Sequence, residues 1–175
     1  MTVQMSTMQT ERLVIRGTRE EDGPLCLDIW LDEEMGRYMS DPPRDRADED
    51  TLNFAKGIEE DDGWYPMVVL HKETGEFVGT CSVVPEEDGK RWDLGYALHK
   101  RYWKQGYGTE MLRQLIEKGI SEGVQSFTAY VAQENAASNA LLRKLGFRIL
   151  REGKGFRKRG TDIVYPEYIY LLEVS

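Results

Sequence analysis

The stretch from Trp92 to Ile120 constrains the fold more than any other part of the chain. It holds an alternating run, Trp92–Leu98, then two glycines one residue apart, Gly106 and Gly108, then a helical segment. In that segment Met111, Leu112, Leu115, Ile116 and Ile120 recur at the spacing of one apolar helix face. A strand, a glycine turn and a helix start together make a site for a phosphorylated ligand. Glycine has no Cβ, so the backbone can approach such a ligand closely. The first turn of a helix leaves N–H groups unpaired and carries partial positive charge. Thr109 adds a hydroxyl at the same place. Two familiar phosphate loops do not fit. The Gly-Lys-Ser/Thr tail of a P-loop is absent. A dinucleotide fingerprint needs glycine where Met111 stands and an acid about 20 residues on, where the chain reads Phe127-Thr128-Ala129.

A second block, Asn135 to Phe147, reads NAASNALLRKLGF. Its pattern is a capped helix. Asn135 is a good N-cap, with Ser138 three residues later. Leu141, Leu142 and Leu145 form an apolar stripe. Lys144 falls in the last turn and Gly146 fits the C-terminal cap.

The two blocks resemble the coenzyme A loop, Gln/Arg-x-x-Gly-x-Gly/Ala, and the Asn-x-x-Ser…Lys-Leu-Gly-Phe segment of the Gcn5-related N-acetyltransferases. Trp103 stands at the first loop position, a departure shared by many members of the branch that acetylates ribosomal-protein N-termini. Gly106-Tyr107-Gly108-Thr109-Glu110 matches that branch closely, and Thr10–Arg16 with Glu20-Glu21-Asp22 resembles its first strand and first helix start. The resemblance covers nearly the whole chain. It implies that Lys104, Gln105, Gly106, Tyr107, Gly108 and Thr109 hold acetyl-coenzyme A, and that Asn135 and Ser138 support its pantetheine arm. It also implies that the strands Trp92–Leu98 and Ser126–Val131 splay as a V, with a backbone N–H near Ala97 or Leu98 facing the thioester.

The implied reaction is transfer of an acetyl group to a primary amine by direct attack. No convincing Ser/His/Asp or Cys/His set is present to act as a protein nucleophile. Many family members place a tyrosine acid where this chain has Leu142. Ser138 matches the hydroxyl of the ribosomal-protein branch, with Tyr130 and Tyr107 as alternatives. Asp93, alternating away from Trp92, Leu94 and Tyr96, is the candidate base. Trp64 and Tyr65 are candidates for lining an acceptor pocket. The acceptor is expected to be a protein N-terminus or a small cationic amine. A non-catalytic acyl-coenzyme A sensor is the alternative.

Charge fits this picture. The net charge is −8, which argues against non-specific nucleic-acid binding. Residues 1–90 carry 9 Lys and Arg against 22 Asp and Glu, whereas residues 91–175 carry 14 against 9. Both coenzyme-like blocks lie in the basic half, and the acidic half is suited to a cationic amine. Cys26 and Cys81 lack metal or redox spacing, and with only His71 and His99 no His/Cys metal site is expected. No run reaches the apolar length of a membrane span. The start, MTVQMSTMQT, has no secretory pattern. The expectation is a cytoplasmic protein, monomer or homodimer, bound to no nucleic acid or membrane.

Length and pattern predict one domain over 1–175. Strands are expected over Arg12–Arg16, Tyr65–His71, Phe77–Val84, Trp92–Leu98, Ser126–Val131, Phe147–Gly153 and Val164–Val174. Helices are expected over Asp22–Leu31, Asp48–Glu60, from Gly108 to near Gly123, and from Asn135. A loop is expected around Pro42-Pro43 and a basic loop over Lys154–Arg159. This alternation gives an α/β (α+β) fold, a mixed sheet with helices on both faces.

Overall fold

A computed structural model describes residues 6–30, 32–35, 37–38, 63–157 and 162–174. The expected helix over Asp48–Glu60, the Pro42-Pro43 loop and the end of the basic loop lie outside the described residues.

The strands are β1 (Met8–Gln9), β2 (Leu13–Gly17), β3 (Tyr65–His71), β4 (Phe77–Glu86), β5 (Arg91–Leu98), β6 (Ser126–Ala132), β7 (Arg148–Glu152), β8 (Phe156–Arg157), β9 (Val164–Tyr165) and β10 (Glu167–Glu173). The described helices are α1 (Gly23–Trp30), α2 (Tyr107–Ser121) and α3 (Ala136–Lys144). Eight strands form one sheet in the order β1-β2-β3-β4-β5-β6-β10-β7, and β8 and β9 pair apart from it. Every neighbouring pair is antiparallel except β5 and β6. Those two are joined through α2, and a parallel pair needs such a crossover.

Alternation along β5 divides the core. Trp92 and Leu94 are buried with Met111, Leu112 and Leu115 of α2 and Leu142 of α3. Ala97 packs on the other face with Cys26, Leu27 and Ile29 of α1 and with Val68 and Phe77. Helices therefore cover both faces, as the pattern predicts. Both cysteines are buried and unbridged, and burial pushes each thiol up to about 12.

Most boundaries fall within a residue or two of those expected, and α2 starts at Tyr107, near Gly108 as expected. β4 runs on to Glu86, because β5 pairs with it along its full length. The single strand expected over Val164–Val174 is two, β9 and β10, separated by Pro166. Proline has no N–H to give to a ladder, so it sits at strand breaks.

The feature that positions the site is the short β5–β6 ladder. It has three paired rungs, Arg91↔Ser126, Trp92↔Phe127 and Asp93↔Thr128. Beyond Asp93, β5 stays with β4 as far as Leu98, and β6 stays with β10 as far as Ala132. The two strands part there, which is the V that the resemblance implies.

Candidate active site

Backbone direction decides what the split offers. His99 N–H donates to Val78 O at 2.8 Å, across to β4. N–H groups alternate sides along a strand, so that of Ala97 also turns to β4. Those of Tyr96 and Leu98 turn into the split. Of the two residues expected to supply a donor there, Leu98 is oriented for it and Ala97 is not. The indole Nε1 of Trp103 donates to Leu98 O at 2.8 Å, tying the glycine loop to the end of β5.

The loop itself is tightly wound. Lys104 and Gly106 have φ of 60° and 83°. Gly106 caps α2 from this left-handed conformation, which glycine adopts without a Cβ penalty. Gly108 has a packing reason beside the ligand approach that the sequence suggested. A Cβ there would meet Leu141 Cδ2 at 3.0 Å and Leu98 Cδ1 at 3.4 Å, so its missing side chain lets α2 settle against α3 and β5. Gln105 is exposed and folds back, its Nε2 donating to Arg101 O at 2.7 Å. The Tyr107 ring is buried among Arg12, His71 and Tyr102, so packing accounts for it and only its backbone faces the turn. Thr109 lines a shallow groove with Glu11, Gly106, Glu110, Arg113 and others along α2.

Across the split, Asn135 Oδ1 accepts from Ser138 N–H at 3.2 Å, the expected N-cap. Asn139, which the sequence reading passed over, fixes this helix start. Its Nδ2 donates to Asn135 O at 2.7 Å, Ala132 O at 3.1 Å and Gln133 O at 3.3 Å, and the Tyr170 hydroxyl donates to its Oδ1 at 2.5 Å. With the helix start fixed, the Ser138 hydroxyl pairs with that of Tyr96, which reaches across from β5. Burial raises the Tyr96 phenol to about 12, so it keeps its proton at neutral pH. Leu142, at the position of the family's tyrosine, is wholly buried in the core.

On the opposite face of the sheet lies a cavity of about 360 Å³ lined by Tyr38, Glu86, Asp93, Tyr130, Phe156 and Glu167. Asp93 stands on the last rung of the β5–β6 ladder, where Thr128 Oγ1 donates to its Oδ1 at 2.8 Å. Burial pushes its carboxyl up to about 6, the charges of Glu86 and Glu167 push the same way, and the Thr128 bond opposes them. Tyr130 is 52 % exposed and belongs to this cavity rather than to Ser138. Neither Trp64 nor Tyr65 lines it. Tyr65 is 1 % exposed in the core, and Trp64 packs beside α1. Among the described residues no cluster of His, Cys, Asp and Glu is arranged to hold a metal, and no helix is long and apolar enough to cross a membrane.

The sequence pattern of the acetyltransferase (GNAT) domain matches residues 12–148. An uncharacterised N-acetyltransferase, p20 of Bacillus licheniformis, is 29% identical over 167 residues, covering 91% of this chain and 93% of its own. Among solved structures, RimL, a ribosomal L7/L12 alpha-N-protein acetyltransferase in complex with coenzyme A, superposes with a TM-score of 0.80 at 19% identity over 97% of this chain and 98% of its own. A spermidine N-acetyltransferase from Vibrio cholerae, bound to coenzyme A and spermine, gives 0.77 at 14% identity over 94% and 96%.

Proposed function

Because the chain belongs to the acetyltransferase (GNAT) family, we propose that it moves the acetyl group of acetyl-coenzyme A to a cationic primary amine by direct attack in a ternary complex. One observation carries the acceptor side of this reading. Asp93 sits at the rung where β5 and β6 part, and its carboxylate opens into a cavity that also holds Glu86 and Glu167. The coenzyme side rests on the glycine turn, the outward N–H groups of β5 and the capped start of α3.

In this reading the pyrophosphate lies against the backbone of residues 104–109, which has a left-handed turn and unpaired helix-start donors to offer it. The pantetheine arm follows the split towards Ser138. The amine lone pair attacks the thioester carbonyl carbon, and negative charge develops on the carbonyl oxygen. A backbone N–H turned into the split, such as that of Leu98, stabilises that charge. Donors of this kind contribute on the order of 2.7–4 kcal/mol in other enzymes. Asp93 takes the amine proton, directly or through one water. With its carboxyl near 6 it is ionised at neutral pH yet more basic than an exposed aspartate. The C–S bond breaks as the C–N bond forms, and the departing thiolate accepts a hydrogen bond from Ser138. Either hydroxyl can donate in the Tyr96–Ser138 pair; with Tyr96 as donor to Ser138 Oγ, the serine proton is free for the sulfur.

The test is thiol release from acetyl-coenzyme A across a panel of diamines, polyamines, aminoglycosides, amino acids and peptides with free N-termini. The expected result is turnover with cationic acceptors and little with amino acids, whose carboxylate would enter an acidic cavity. Preference for amino acids would overturn the acceptor assignment.

A further inference from the structure

We propose that Arg12, held by Glu110, is a positioning residue for coenzyme binding: it shapes the pyrophosphate turn from behind. This rests on the reading of residues 104–109 as the coenzyme loop. It concerns a residue far from both sequence blocks that marked the site.

The turn contains strain that something must hold. Lys104 is a non-glycine residue at φ 60°, and two residues on Gly106 is at 83°. A left-handed non-glycine residue persists only where its surroundings over-determine it. Two of the ties are local: Trp103 to Leu98 and Gln105 to Arg101. The third comes from Arg12, just before β2 and more than 90 residues away. Arg12 Nη1 donates to Gln105 O at 3.1 Å, the residue between the two left-handed positions. The guanidinium carbon lies 3.9 Å from the centre of the Tyr107 ring, the first residue of α2. Its Nη2 would stand 3.4 Å from a Cβ on Gly106. One planar group thus bonds Gln105, faces the Tyr107 ring and fills the space beside Gly106 between them.

Glu110 fixes that group in turn. Its Oε1 accepts from Arg12 Nε at 2.7 Å, and its Oε2 accepts from Arg12 N–H at 2.9 Å and from the Thr10 hydroxyl at 2.5 Å. Burial alone would raise the Glu110 carboxyl. The Thr10 and Arg12 bonds outweigh it and hold the group below its ordinary value. The arrangement also answers an electrostatic problem. Glu110 lies in the first turn of the helix that receives a polyanion. Paired to Arg12, its charge is balanced there. An arginine suits both tasks, because its fork gives one N–H to the carboxylate and another to the carbonyl.

The experiment compares binding of coenzyme A with binding of pantetheine, which lacks the pyrophosphate and adenosine, by calorimetry or NMR titration. No acceptor is needed, so an error in the acceptor class leaves the result intact. Arg12→Met is expected to weaken coenzyme A roughly ten- to hundredfold, the range carried by one hydrogen bond to a charged group. Pantetheine affinity should stay within about twofold, a difference too small to reflect a lost interaction. Arg12→Lys keeps the charge without the fork and should recover only part of the loss. Glu110→Gln should cost less in the Arg12→Met background than alone, because the two act as a pair. Unchanged coenzyme A affinity in Arg12→Met, or an equal loss for both ligands, would overturn the proposal. If Arg12→Met does not fold, as read by its thermal midpoint, Glu110→Gln alone decides between the same two outcomes. Failure of the wild type to bind coenzyme A would instead overturn the loop reading beneath it.

Discussion

The proposed coenzyme wall and the proposed acceptor cavity are built in opposite ways. The first comes from two nearly continuous segments, the end of β5 through the start of α2, and the start of α3. It offers mainly backbone N–H groups, set by strand direction, a left-handed glycine and a helix cap. The second takes one or two side chains from each of several separate places, namely Tyr38, Glu86, Asp93, Tyr130, Phe156 and Glu167. Its polar groups are three carboxylates and two phenols. Under the proposed function, the difference follows from the ligands. A coenzyme that never changes can be read by backbone geometry, which tolerates change in side chains. An acceptor that varies between relatives must be read by side chains, which can be exchanged without moving the sheet.

That contrast can be broken most sharply at Asp93, which touches the acceptor side only. Asp93→Asn should lower kcat/KM for the amine by about 10²- to 10⁴-fold, the range of a lost general base. Coenzyme affinity should not change. Rated against the concentration of unprotonated amine, wild-type turnover should rise with pH through about 6 and then level, since only the ionised carboxylate accepts a proton. The same group weakens the fold. Its carboxyl is raised from 3.8 to about 6, so the folded state resists its ionisation, and the stability of the protonated form is lost as pH rises through that window. Asp93→Asn should therefore melt higher than wild type above pH 6, with the gap closing below 3.8. A variant with full turnover, or one that melts lower at neutral pH, would remove Asp93 from this role.

On the coenzyme wall the largest chemical effect is expected at the hydroxyl pair. Ser138→Ala should lower kcat roughly tenfold or more, as expected for a hydrogen bond to a developing anion. Its coenzyme affinity should move less. Tyr96→Phe should act in the same direction, and the double variant should lose less than the two losses combined. Additive effects would separate Tyr96 from Ser138. Thermal melting must accompany both, because Ser138 lies in the first turn of α3.

Gly108→Val tests packing against ligand approach. The added side chain runs into Leu141 and Leu98, so a stability loss of about 1–3 kcal/mol is expected, as in other overpacked cores. Urea unfolding with unchanged stability would show that the glycine serves the ligand instead. The smallest effect concerns Glu86, at the exposed rim of the cavity. Glu86→Gln should raise the KM of a dicationic amine a few-fold and flatten its dependence on salt, since exposed charges are screened beyond about 8 Å at physiological ionic strength. An unaltered salt response would leave attraction of the acceptor to the deeper carboxylates.

Most of the turn and cap geometry of the proposed coenzyme wall was legible beforehand because its signals are local. Gly106, Asn135 and Ser138 act within a few residues of themselves, and turn and cap chemistry has a short sequence range. Leu98 could be separated from Ala97 only once His99 was seen bonded to Val78, since sequence alternation gives two sides without saying which is open. Tyr107 looked like part of a ligand motif, yet its ring is taken by Arg12, His71 and Tyr102. Trp64 and Tyr65 were aromatic at a strand start, which equally describes core, and core is where Tyr65 lies.

By itself the sequence determined the fold class, the strand–turn–helix proposed for the coenzyme and the capped helix opposite it. Each depends on periodicity or on a backbone conformation that few residues permit. Tertiary structure alone decided the partnerships across distance: Tyr96 with Ser138, Arg12 with Glu110 and Gln105, Asn139 with Tyr170, and Asp93 with Glu86 and Glu167. Those contacts arise from strand order and register, which bring residues up to about a hundred positions apart onto one rung or one face, and no local preference encodes that order.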